Sequence, residues 1–135
     1  MILSTNQPYF APYPGFFQKM LLSDVMVLLD GVQFPRKTTW ITRNRLKNDQ
    51  GMLWMTIPVW KKGRGLQKIN EVRICHEGNW HYKHLKSIRT AYSRAPYLLD
   101  HDSWLARIFS PPFKSLVDMN FEIISYMRDF LKIDT

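Results

Sequence analysis

The sequence predicts an α/β (or α+β) fold: a small mixed sheet with an N-terminal βαβ-like unit, a basic β-rich middle and C-terminal helices. Three observations carry this. Two short apolar runs, Ile2 to Thr5 and Val25 to Leu29, flank a proline-rich turn and a short helical stretch. The middle, up to Ile74, mixes β-branched, aromatic and basic residues. After Asn79, apolar residues recur at helical spacing. With 135 residues, 45% of them apolar, the chain fits one core, so a single domain over 1–135 is expected.

The elements follow in order. ILST reads as a short buried strand. Pro14-Gly15 closes the stiff segment NQPYFAPYPGFFQ, and Phe16 to Leu22 reads as a short helix. DVMVLLD is apolar on both faces, which suits a central strand covered on both sides. TTWITRNRL and MLWMTIPV, joined by the turn-rich KNDQG, predict an antiparallel hairpin. WKKGRGLQK reads as a basic glycine loop, and INEVRI alternates as a half-buried strand does. Asn79 is the expected N-cap of a helix whose face is Trp80, His84, Leu85, Ile88 and Ala91, with Pro96 as its stop. Ser103 is the expected cap of a short helix through Phe109. SPPF opens the last helix, whose stripe is Leu116, Val117, Phe121, Ile124, Met127 and Leu131.

No run approaches eighteen apolar residues, so no membrane span is expected. The N-terminus lacks the basic start and long apolar run of a secretory signal. The lone Cys75 cannot form an internal disulfide and fits a reducing compartment, so a cytoplasmic location is expected. From Arg36 to Arg73 there are ten basic residues and two acidic ones, a surplus equal to the whole net charge of +8. Such a block attracts anions: phosphate esters, nucleotides, nucleic acid or carboxylates; alternatively it is a solvated face.

Pro8, Pro12 and Pro14 pre-shape the opening loop, because proline fixes φ. If that loop joins a strand to a helix, Gln7, Pro8, Pro14 and Gly15 lie where ligands of open α/β sheets bind. Asp30 ends the second apolar run and can orient a hydroxyl or amine, pair with an arginine, or hold a metal. Gln33 offers both donor and acceptor. Arg43 and Arg45 fall on one strand face, with Asn44 opposite, and can grip a phosphate or carboxylate; alternatively they pair with surface acids. Lys61 and Lys62 sit in the glycine loop, either a lid over an anion or a solvated turn. Cys75, His76, His81 and His84 match no zinc spacing, and His84 falls on an apolar face, so no metal is expected. No GxSxG, phosphate loop or complete dinucleotide fingerprint is present, and no cofactor is expected.

Several ordered segments carry a resemblance. NQPYFAPYPGFF, DVMVLLDGVQFPRKTTWITRNRL, WMTIPV and NWHYKHLKSIRTAYSRAPYL together resemble the WbqC-like proteins, from about Leu3 to about Ile133. The resemblance implies a bacterial protein associated with surface-polysaccharide (O-antigen-type) biosynthesis. It also implies attachment of a small acyl or aminoacyl group to an amino sugar. The matching motif residues are Gln7, Pro8, Pro14, Gly15, Asp30, Gln33, Phe34, Trp40, Arg43, Asn44, Arg45, Pro58 and Val59. Gly31 stands where the family commonly has a second acid. Family members usually continue well beyond the position of Thr135, so a short form of the family is expected.

Three functional readings follow. In the first, an enzyme or enzyme-like domain binds a small anionic substrate, a nucleotide-activated amino sugar or an activated small acid. Gln7 and Asp30 orient the acceptor, and Arg43, Arg45, Lys61 and Lys62 neutralise phosphates. The second is a nucleic-acid-binding module in which Trp40, Trp54 and Trp60 stack bases. The third is a non-catalytic scaffold subunit.

Overall fold

The computed structural model describes residues 1–110 and 113–135. The chain opens with the expected βαβ unit. Strand β1 (Leu3–Asn6) pairs in parallel with β2 (Val25–Leu28), in register from Leu3 with Val25 to Asn6 with Leu28. Helix α1 (Pro14–Leu21) makes the crossover. Its Pro14 sits in the first turn, where a missing N–H costs nothing. Phe16, Phe17 and Met20 are buried from α1 against Ile124 and Ile133.

The two apolar strands are less covered than their composition predicts. β2 pairs with β1 alone among the described residues. Val25, Val27 and Leu29 remain 44%, 41% and 37% exposed, and Ile2 and Leu3 are about as open at 61% and 60%. The cause is simple: α1 packs on one face, and side chains of a strand alternate between faces. Met26 and Leu28 reach that helix; their neighbours point the other way. The expectations of a buried first strand and of a central, doubly covered second strand are therefore corrected.

The hairpin forms as expected. β3 (Arg43–Asn48) pairs antiparallel with β4 (Gly51–Thr56) around Asp49-Gln50. Gly51 has φ +112°, a conformation that a Cβ disfavours, and Asn48 Oδ1 accepts the Gln50 N–H at 3.0 Å. β3 starts later than the TTWITRNRL pattern suggests, because Thr39 closes a turn. Its hydroxyl accepts the Ile41 N–H and its carbonyl accepts the Thr42 hydroxyl. The parallel and antiparallel pairs are two separate two-stranded sheets.

INEVRI is not a strand. Ile69–Glu71 is one 3-10 turn, followed by isolated bridges from Arg73 to Ser115 and from Ile74 to Val59. A period-two strand would place Ile69 opposite Val72 and Ile74. One tight turn brings residues three apart onto one side, and all three become buried. Glu71 accepts the Lys68 N–H at 2.8 Å and fixes that turn.

Helix α2 (Trp80–Ala91) starts after Asn79 as expected, but ends at Ala91, five residues before Pro96. Helix α3 (Leu98–Ile108) begins just after Pro96, so Ser103 is inside it and caps nothing. Proline is tolerated ahead of a helix start and would break an interior, so α3 begins only after Pro96. Helix α4 (Leu116–Phe130) follows Ser115. The expectation that Pro111 and Pro112 open it lies outside the described residues. The main core joins Phe10, Ile41, Ile57, Ile69, Val72, Ile108, Leu116 and Met119. No helix among the described residues is long and apolar enough to cross a membrane.

Candidate functional site

The carboxyl ends of the two parallel strands lie side by side, since the Leu29 N–H bonds Asn6 O at 2.8 Å. Gln7 and Asp30 are the next residues along, both half-buried. The chain from Asp30 to Phe34 is then stitched to the basic loop. Asp30 O accepts the Asn70 N–H, Val32 O accepts the Ile69 N–H, and the Phe34 N–H reaches Gln67 O at 2.8 Å. Gln33 bridges Lys68. Between these segments lies a cavity of about 320 Å³ lined by Phe34, Pro35, Arg36, Lys61, Gly65 and Leu66, with Gln67. Lys61 Nζ lies 5.2 Å from the Phe34 ring centre. Gly63 and Gly65, at φ +73° and +60°, let the loop turn back, and Gln67 Nε2 ties it to Trp60 O. Among the described residues no carboxylate pairs with Arg36, Lys61 or Lys62.

The proline loop is anchored elsewhere. Pro8 is buried, and its carbonyl accepts one amide hydrogen of Asn120 at 2.8 Å; the other goes to Ile41 O at 2.9 Å. Phe10 N–H bonds Trp40 O. Asn44 Nδ2 donates to Ala11 O at 2.7 Å, and its Oδ1 accepts the Arg45 N–H. Asn44 is thus a positioning residue that clamps the loop onto β3. Ala11, at φ +43°, makes the bend that this clamp holds. Pro14 and Gly15 lie on the α1 side, and Pro12 and Pro14 border a shallow apolar groove with Phe17 and Met127. A Cβ on Gly15 would come within 2.5 Å of the Tyr13 ring.

Arg43 and Arg45 do share one face of β3, as their spacing predicts. They are not aimed at Gln7 or Asp30 by any contact. The Arg43 guanidinium lies 4.1 Å over the Trp54 ring, and that of Arg45 lies 5.9 Å from Trp40 and 5.8 Å from Trp54. The two indoles are 5.8 Å apart and 44% and 40% exposed. The predicted residues therefore fall into three groups: strand ends with the basic loop, the anchored proline loop, and an open cation–aromatic face.

The histidines form a packed cluster. His76 Nε2 faces Phe113 O at 2.6 Å, so it carries the hydrogen, and Nδ1 must accept from His81 Nε2 at 2.9 Å. Trp80 stacks on His81 at 3.7 Å and donates Nε1–H to Cys75 O. His84 donates to Thr56 O at 2.7 Å. Burial first, then the charges of His76 and His84, hold His81 below its ordinary value. Burial lowers His84 too, partly offset by the Thr56 carbonyl. Among the described residues, no three His, Cys, Asp or Glu side chains converge as a metal set.

Two residues that the sequence reading passed over matter here. Asn120 is fully buried, and the signal was a polar residue inside the apolar stripe of the last helix. Trp104 Nε1 is buried without a partner among the described residues, which sequence spacing cannot reveal.

Comparison with known proteins gives a consistent result. A family model described as the WbqC-like protein family matches residues 7–135. An uncharacterized protein of Mycobacterium tuberculosis, Rv1507c, is 31% identical over 131 residues, covering 96% of this chain and 55% of the relative. The chain thus spans about half the length of that relative. No solved structure matches.

Proposed function

The chain belongs to the WbqC-like protein family, and from that premise we propose that it is an enzyme-like domain of bacterial surface-polysaccharide (O-antigen) biosynthesis. It binds a small anionic substrate, a nucleotide-activated amino sugar or an activated small acid, for acyl or aminoacyl transfer. One observation carries this reading: the Asp30–Phe34 segment is hydrogen-bonded to the basic loop, directly after the paired strand ends. Strand ends of open α/β sheets are where ligands settle, and unpaired cations beside them favour phosphate. Arg36 and Lys61 neutralise the anion, with Lys62 nearby in sequence. Gln7 orients the acceptor. Asp30 takes the proton as the amine attacks the acyl carbonyl of the activated acid, and the activating group leaves with the electron pair of its bond to the carbonyl carbon. The lone Cys75 fits a cytoplasmic setting.

Calorimetric titration with a nucleotide-linked amino sugar tests this. Binding should weaken at least about tenfold in Arg36→Ala and Lys61→Ala, the loss expected of a charge-assisted contact. Asp30→Asn should bind normally and fail to transfer. Unchanged affinity in both cation variants would remove the reading.

A second reading, a nucleic-acid interface, is favoured by one specific feature. Arg43, Arg45 and Lys47 alternate along β3 beside the exposed indoles of Trp40 and Trp54. Cations beside stacking platforms suit single strands. With about three phosphate contacts, oligonucleotide affinity should fall roughly twentyfold between 50 and 200 mM salt. No binding at low salt would exclude it.

A further inference from the structure

A second cavity lies away from the basic loop. It has a volume of about 260 Å³ and is walled by Phe10, Met55, Ile88, Leu105, Ile108 and Ile123, from the proline loop, β4 and helices α2 to α4. Its lining also includes Ala11, Arg45 and Tyr92, which are exposed and mark where it opens. Asn44 lines it as well, so two residues of the RNR segment border it. The walls are almost wholly apolar, which selects an apolar guest. The volume corresponds to about eight or nine water-sized groups.

One polar feature breaks the apolar wall. Trp104 lines the cavity, and its indole N–H is buried with no acceptor among the described residues. The ring itself is fixed, stacked on Tyr126 at 3.9 Å and 10°. Tyr126 is held in turn by His101 Nδ1 at 2.7 Å. A buried donor left unpaired is costly, and one oxygen of a guest would relieve it. Among the described residues no side chain hydrogen-bonds that donor. Arg45 stands at the exposed mouth, whereas a charged carboxylate held deep beside Trp104 would have to shed its water; a neutral carbonyl meets a far smaller cost there.

We propose that this cavity binds the acyl chain of a neutral ester or thioester of about eight carbons, with its carbonyl oxygen accepting from Trp104 Nε1. Its role as the pocket of an acyl donor rests on the transfer reading above; the binding itself does not.

Titration calorimetry with S-octanoyl-N-acetylcysteamine tests the site. The wild-type chain should bind it, and should bind octanoate at least about tenfold more weakly. Trp104→Phe keeps an aromatic ring against Tyr126 and removes the donor together with part of the indole; it should lose at least about three- to tenfold, the worth of one neutral hydrogen bond. Met127 also lines this cavity; Met127→Trp narrows it and should abolish binding while leaving the affinity for a nucleotide-linked amino sugar unchanged. Failure of the thioester to bind, equal or tighter binding of octanoate, or unchanged affinity in Trp104→Phe would each overturn the proposal. If the thioester binds and the sugar nucleotide does not, only the transfer reading falls.

Discussion

Asn120 gives both amide hydrogens to carbonyls that no strand or helix claims, Pro8 O and Ile41 O. This one side chain ties α4 to the proline loop and to the lead into β3. Replacing it with leucine keeps the volume and strands two acceptors in the core. Asn120→Leu should cost about 3 kcal/mol of stability, read as a lower urea midpoint with unchanged slope. The histidine cluster makes a pH prediction. His81 and His84 titrate below their unfolded values, so the unfolded chain binds more protons as pH falls through the ordinary histidine range. Stability is therefore full above that range and is lost as pH falls through it. The melting temperature should drop from pH 7.5 to pH 5, and less so in His81→Asn. A single residue's partner is seldom legible in sequence. Arg43 and Arg45 were correctly placed on one face, but their stacking on Trp54 and Trp40 depends on how the hairpin meets the Thr39 turn.

At the scale of elements, local chemistry decided more than periodicity. The 3-10 turn at Ile69–Glu71 depends on the Glu71 carboxylate reaching the Lys68 N–H. Glu71→Ala should cost about 1 kcal/mol, as loss of a comparable cap does, in a denaturant melt. Gly51→Ala forces a side chain into a disfavoured φ and should cost about 1–2 kcal/mol by the same measurement. The hairpin, the βαβ unit and the start of α2 were readable because turn residues and apolar spacing agreed there. INEVRI misled because its alternation fits a strand, while burial of Ile69 together with Val72 requires one tight turn. Ser103 misled because a good capping residue also sits quietly inside a helix when Pro96 has already set the start.

For the whole molecule, composition located the charge correctly in the middle of the chain, and the basic loop then folded against the strand ends. Composition could not say how many layers would cover the first sheet. An apolar run reads the same whether one face or two are buried, and here α1 shields only Met26 and Leu28. The grouping of the candidate residues was equally hidden, because it depends on the Asn44 and Asn120 side chains that hold the proline loop against β3 and α4.

The uncovered side of β1 and β2 has a practical outcome. Four aliphatic residues there, Leu3, Val25, Val27 and Leu29, meet water directly. Water gains by squeezing such surfaces together, so crowded solutions of this chain should turn cloudy as they are warmed. A lysine in place of Val27 should keep them clear under light scattering and leave the melting temperature nearly where it was.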